Sequence, residues 1–199
     1  MVKMKILSIC GSPRRGNSEA VLNKLNQIFE KMKVENEIIL LRGKSIQRCM
    51  GCVEYCNKNL QCHKKDDMPE ILEKIKNADG YVFISPNYFN MPSGLFKDFI
   101  DRCSVLYTKA YFSGKNELSS KKAAVIAVGT DEIPEIDKCV SNIADNFCRL
   151  LGVSVVARKS FRSRSELKGN YNDMFENGLN PNINEDLEKI ANDLQRNLK

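Results

Sequence analysis

Apolar residues recur along this chain in two alternating rhythms, short continuous runs and longer one-faced stretches. Lys5 to Ile9 is an apolar run that stops at Cys10-Gly11-Ser12-Pro13, which predicts a strand ending in a turn. From Ser18 the apolar positions Val21, Leu22, Leu25, Ile28, Phe29 and Met32 fall on one face of a helix. Glu37 to Leu41 predicts a second strand. Met68, Ile71, Leu72 and Ile75 predict a helix with Pro69 in its first turn, where proline is tolerated. Tyr81 to Ser85 predicts a third strand, Leu95 to Leu106 another helix, and Lys122 to Val128 a fourth strand. Ile136 to Phe147 predicts the next helix, Val153 to Ala157 a fifth strand, and Leu187 to Leu194 a closing helix.

Five short apolar strands separated by helices require a parallel sheet covered on both faces, because right-handed crossovers place helices on either side. The expected fold is therefore a doubly wound α/β sandwich with the flavodoxin-like strand order 2-1-3-4-5. Its ligand crevice should lie at the carboxyl ends of strands 1 and 3. Length and composition narrow this further. With 199 residues and 42% hydrophobic content, the chain is expected to form a single domain over 1–199 without internal repeats. The longest apolar stretches, Ile38 to Leu41 and Ala123 to Val128, fall far short of the roughly 20 residues needed to cross a bilayer. The N-terminus lacks the apolar core and small-residue cleavage site of a secretion signal, so the expected address is the cytoplasm. A net charge of +6, with acids interspersed among the bases, is compatible with phosphorylated small ligands and too weak to imply nucleic acid.

Two loops carry candidate chemistry. Gly11-Ser12-Pro13-Arg14-Arg15-Gly16-Asn17-Ser18 joins the first strand to the first helix, where backbone N–H groups and the helix dipole favour an anion. Ser12, Asn17 and Ser18 supply neutral donors, Arg14 or Arg15 supplies charge, and Gly16 allows close backbone approach. The loop has neither a Walker Gly-Lys-Ser/Thr ending nor the three-glycine dinucleotide spacing, which leaves a phosphate monoester as the better guest. An ordinary turn capped by Asn17 or Ser18 is the alternative. The second loop, Pro86, Asn87, Tyr88, Phe89 and Asn90 after the third strand, offers an apolar wall with amides and suits a planar heteroaromatic ring. A turn with Tyr88 and Phe89 buried beneath it is the competing reading.

These two segments, together with Pro92 and Lys97-Asp98-Phe99-Ile100-Asp101-Arg102, resemble the NADPH-dependent FMN reductase family. The resemblance implies that Ser12, Arg14, Asn17 and Ser18, with Gly16, hold the FMN phosphate. It implies that Pro86 through Asn90 line the isoalloxazine, with Gly129 and Thr130 at its far edge. It further implies hydride transfer from NAD(P)H to FMN and onward to a small-molecule or redox-protein acceptor. No conventional catalytic side chain is needed, because the flavin carries the chemistry. A homodimer or homotetramer is implied too, with Tyr107, Tyr111 and Phe112 as contact residues or, equally, as residues buried within the chain.

The eight cysteines divide into two kinds. In a presumed cytoplasmic chain they point to thiols or metal ligands rather than disulfides. Cys103, Cys139 and Cys148 fall in helical phase with core residues, and Cys10 stands apart from any cluster. Cys49-x2-Cys52-x3-Cys56-x5-Cys62 instead crowds a loop at 45–66, where four soft thiolates suit an iron–sulfur cluster, tetrahedral zinc or no metal at all. This arrangement, followed by Asp66-Asp67-Met68, resembles the iron-sulfur flavoprotein branch of the family, with three residues in the middle gap where that branch has two. The resemblance implies a [4Fe-4S] cluster and, as an alternative activity, an electron carrier reduced by a ferredoxin-like partner. His63, the single histidine, is expected to face solvent, and Asp66 and Asp67 to cap a helix. The stretch 159–181, carrying Arg162, Arg164 and Lys168, is expected to be a solvated loop or a contact for the 2′-phosphate of NADPH.

Overall fold

A computed structural model describes residues 4–164, 173–175 and 178–198. Parallel strands β1 (Lys5–Cys10), β2 (Glu35–Leu40), β3 (Gly80–Tyr88), β5 (Lys122–Gly129) and β6 (Ser154–Arg162) form the sheet in the order β2-β1-β3-β5-β6. Counting parallel strands only, this is the expected 2-1-3-4-5. A two-residue strand, β4 (Met91–Pro92), pairs antiparallel with the end of β3.

Each central strand buries both faces, so successive residues enter opposite cores. Leu7, Ile9, Tyr81 and Phe83 face a layer made by α3 (Met68–Asn77), α4 (Gly94–Arg102), α5 (Ser104–Ser113) and α6 (Ile133–Ser141). Ile6, Cys10, Val82 and Ile84 face α1 (Asn17–Lys31) and α7 (Ile183–Asn197). Helix α1 places Val21, Leu22, Leu25 and Phe29 fully out of solvent, each contributing about 1.5–3 kcal/mol by burial. The four scattered cysteines are all buried, as helical phase predicted for Cys103, Cys139 and Cys148. Burial pushes the Cys10 thiol up to about 11 and those of Cys139 and Cys148 up to about 12, which keeps all three neutral.

Four local differences from the sequence expectation bear on function. The helix expected over Leu95 to Leu106 is two helices that meet at Cys103. Helix α6 continues as a π-helical segment, Asn142–Cys148. A short helix, α2 (Val53–Asn59), stands inside the cysteine segment and buries none of its residues. Strand β6 runs to Arg162, so 159–162 is sheet rather than loop, while Lys168 lies outside the described residues.

Candidate functional site

Strand β1 runs out at Cys10, and the chain turns directly into α1. The Gly11 amide donates to the Ile84 carbonyl at 2.9 Å, and the Gly11 carbonyl accepts from Ser93 Oγ at 2.5 Å. A Cβ at Gly11 would stand 2.5 Å from Phe96 Cβ, so the absent side chain is what lets β1 pass α4 this closely. Buried Ser12 donates from Oγ to the Arg14 carbonyl at 2.6 Å and shapes the turn. Gly16 is the N-cap residue, its carbonyl accepting from the Glu19 and Ala20 amides at 3.0 Å. The Asn17 and Ser18 amides therefore have no intrahelical acceptor and lie at the positive end of the helix dipole. No side chain caps this terminus, so the capped-turn alternative does not describe it. The acid of the first turn, Glu19, is paired with Arg42 at 2.9 Å and does not oppose an incoming anion. Arg14 and Arg15 stand exposed at the mouth.

The neighbouring segment, expected as a loop, is the end of β3 and a two-residue hairpin turn into β4. Phe89 and Asn90 both have positive φ, 52° and 65°, the pattern of a type I′ turn. Asparagine tolerates that conformation; phenylalanine does so at a cost. Phe89 is 99% exposed and Tyr88 42%, which overturns the reading that buried them. The turn is braced from α6 and its π-helical extension: Asn90 donates to Glu135 Oε2 at 2.9 Å and Asn142 to the Asn90 carbonyl at 3.0 Å. Asn87, almost fully buried, donates to Asp131 Oδ2 at 2.8 Å, while its Oδ1 meets no donor among the described residues. Gly129, at the end of β5, packs against Asn87; a Cβ there would stand 2.9 Å from Asn87 Cβ. Sheet register aligns these ends, with Cys10 opposite Ile84, Pro86 opposite Val128, and Gly129 opposite Arg162. Exposed Thr130 follows. The anion cradle and the exposed aromatic turn thus share one sheet edge, and they fit a phosphorylated planar ligand at both of its ends.

The cysteine loop is built differently. Its base is fixed: Asp66 accepts from the Gln47 amide at 2.8 Å and the Met68 amide at 3.1 Å, and Asp67 accepts from the Ser45 amide at 2.7 Å. Asp67 occupies the N-cap position of α3 without capping it by its side chain, and Asp66 is more than a cap. Its carboxylate forms an ion pair with Arg102, the two side chains 0% and 1% exposed. Burial works to raise the Asp66 pKa, but the Arg102 guanidinium and the two amides outweigh it and hold the carboxyl below its ordinary value. Beyond this base, Cys49, Cys52, Cys56 and Cys62 are all partly exposed. His63 faces solvent with Nδ1 3.6 Å from Cys52 Sγ. Burial and the sulfurs of Cys52, Cys62 and Cys49 hold the Cys56 thiol above its usual range. Among the described residues, no three His, Cys, Asp or Glu side chains stand in a metal-ligating arrangement. In donor chemistry the loop nonetheless fits a sulfur-held group: four soft thiols, with a buried guanidinium behind them whose Nε has no partner among the described residues.

Residues 4–159 match the model of a family described as NADPH-dependent FMN reductase. The chain belongs to that family. Within it, the chain is 37% identical over 158 residues to an iron-sulfur flavoprotein of Archaeoglobus fulgidus, covering 78% of this chain and 77% of that one. It is 32% identical over 159 residues to an iron-sulfur flavoprotein of Methanosarcina thermophila, covering 79% of each. These relatives place it in the iron-sulfur flavoprotein branch, among FMN-dependent flavoprotein oxidoreductases. The fold also matches an NAD(P)H:quinone oxidoreductase from Methanothermobacter marburgensis, with a TM-score of 0.75 at 18% identity over 98% of this chain and 97% of that one.

Sequence reasoning missed Arg102 in this FMN reductase fold, although a signal was present. Phe96, Phe99 and Arg102 follow one another on the buried face of α4, and an arginine in that phase needs a buried acid. Arg162, expected in a solvated loop, is on β6 and pairs with Glu132 at 3.0 Å. Tyr107, Tyr111 and Phe112 are 50%, 69% and 55% exposed, so burial within the chain is not what holds them. No helix among the described residues is long and apolar enough to cross a membrane.

Proposed function

We propose that the protein is an NAD(P)H oxidoreductase in which FMN lies between the 11–18 loop and the 86–90 turn, with an iron–sulfur cluster on the cysteine loop. The single observation that carries this is the meeting of a free helix N-terminus and an exposed, strained aromatic turn on one sheet edge. Ser12, Arg14, Asn17 and Ser18 bind the phosphate, with Gly16 allowing close backbone approach. Pro86, Asn87, Tyr88, Phe89 and Asn90 line the ring, and Gly129 and Thr130 border it. Asp131 fixes the Asn87 amide, and its buried Oδ1, without a donor among the described residues, would be available to accept a hydrogen bond from the ring. FMN, when bound, supplies hydride acceptance from NAD(P)H and release of electrons singly or in pairs.

Cys49, Cys52, Cys56 and Cys62 hold the cluster, which supplies one-electron chemistry when present. Electrons leave to a small-molecule or redox-protein acceptor, and the working unit is a homodimer or homotetramer. The name of the Methanothermobacter marburgensis structure supports the NAD(P)H assignment, and those of the archaeal relatives support the cluster. Anaerobic stopped-flow mixing with NADH and with NADPH tests the reading. Rapid bleaching of the flavin by either supports it; bleaching only by a reduced ferredoxin-like protein replaces it with an electron carrier. Iron and acid-labile sulfide near zero in anaerobically purified protein would remove the cluster and leave the flavin.

A further inference from the structure

Arg102 heads the fully buried large side chains of the described chain, and its charge is not spent on packing. One side of the guanidinium is saturated. Nη1 donates to Asp66 and, at 2.7 Å, to the Gln47 carbonyl; Nη2 donates to Asp66 Oδ1 at 3.1 Å. Nε is equally buried and has no acceptor among the described residues. A buried donor left without an acceptor costs about 1–3 kcal/mol, more when it carries charge. Beside the guanidinium is Cys62, which lines with it a cavity of about 190 Å³ bounded by Met68, Leu72 and Val105. Burial works against the guanidinium charge, yet Asp66, bonded to it, and the Cys62 sulfur nearby together outweigh it. The arrangement is a rigid, charge-assisted N–H donor without an acceptor among the described residues, on the same cavity as one corner of the cysteine set.

We infer that Arg102 is a positioning residue whose Nε–H donates to sulfur at the Cys62 corner of the cluster and thereby raises its reduction potential. The inference rests on the proposed cluster. An N–H donor to cluster sulfur stabilises the state with one more electron, and low dielectric around a buried cation strengthens the effect. Asp66 and the Gln47 carbonyl fix the fork so that the donor cannot swing away.

The test uses anaerobically purified full-length holoprotein, analysed first for iron and sulfide. Pulsed EPR of the reduced, unsubstituted protein grown with natural and with ¹⁵N-arginine should show a nitrogen coupling that changes with the label. A redox titration of Arg102→Gln at wild-type iron content should show loss of that coupling. At the wild-type midpoint poise, the oxidised-to-reduced ratio of that variant should rise about tenfold, the size expected for one hydrogen bond to a charged group. Full iron and sulfide with no arginine-derived coupling, or a variant titrating as wild type does, overturns the role of Arg102 and leaves the cluster standing. Absence of iron and sulfide from the unsubstituted protein overturns both together. The isotope measurement needs no substitution, so it stands even where Arg102→Gln fails to fold.

Discussion

The two loops at the heart of this protein use opposite strategies. The 11–18 loop is made by the fold: Gly11, Ser12, Gly16 and Ser18 are buried, and backbone hydrogen bonds to β3 and Ser93 hold the turn before any ligand arrives. The 45–66 loop is made only at its base, where Asp66, Asp67 and Arg102 are tied down, while α2 above them buries nothing. A phosphate site can be preorganised cheaply because backbone amides and a helix dipole come with any strand-to-helix junction. Four thiols that must ionise to hold a metal would bring like charges together, and here they stand partly exposed while the buried Asp66–Arg102 pair anchors the base.

The sharpest way to break this comparison is at the base of the cysteine loop. Asp66→Asn leaves Arg102 buried with its charge unmet, and urea denaturation should show a loss of about 3–5 kcal/mol. Serine at Cys49 or Cys56, both partly exposed, should change the metal-free stability by less than about 0.5 kcal/mol. Equal effects would mean that these positions are as structured as the base.

Next in size is Gly11→Ala. The new Cβ meets Phe96, and the overpacking should cost about 1–3 kcal/mol in thermal or urea unfolding. FMN affinity should fall with it, since the loop is displaced. At the aromatic turn the two quantities should separate. Phe89→Asn relieves the left-handed backbone and removes a side chain that packs on nothing, so the fold should gain about 0.5–1 kcal/mol. Flavin affinity, measured by fluorescence quenching, should drop in the same variant.

The smallest effect lies away from both loops. Glu37 pairs with Lys5 and Lys74, and these lysines hold its carboxyl below the usual range. A depressed folded-state pKa means that the contribution is complete above the unfolded carboxylate value of about 4.3 and is lost as pH falls through the folded one. The wild-type advantage over Glu37→Gln, about 0.5 kcal/mol at neutral pH for a partly exposed group, should therefore shrink steadily in unfolding measurements as pH is lowered below about 4.3.

The strand and helix that frame the 11–18 loop were legible in the sequence, because strand burial on both faces and the helix phase of Val21 to Phe29 leave strong apolar patterns. The turn after β3 was harder. Residues 86–88 continue the sheet, and a phenylalanine at positive φ violates the turn chemistry that would have signalled a hairpin. Helix α2 left no trace since it has no buried face, and the end of β6 was hidden by Arg158, Lys159 and Arg162, charges suited to a sheet edge. The Asp66–Arg102 pair joins residues far apart in sequence, beyond the reach of local pattern.

The phosphate cradle is tested most directly by titrating flavin-free protein with FMN and with riboflavin, which share the ring and differ in the phosphate. If the 11–18 loop holds that phosphate, FMN binds at least about a hundredfold more tightly, and Arg14→Ala with Asn17→Ala removes most of the difference while leaving riboflavin binding in place. Equal affinity for the two flavins would contradict the assignment.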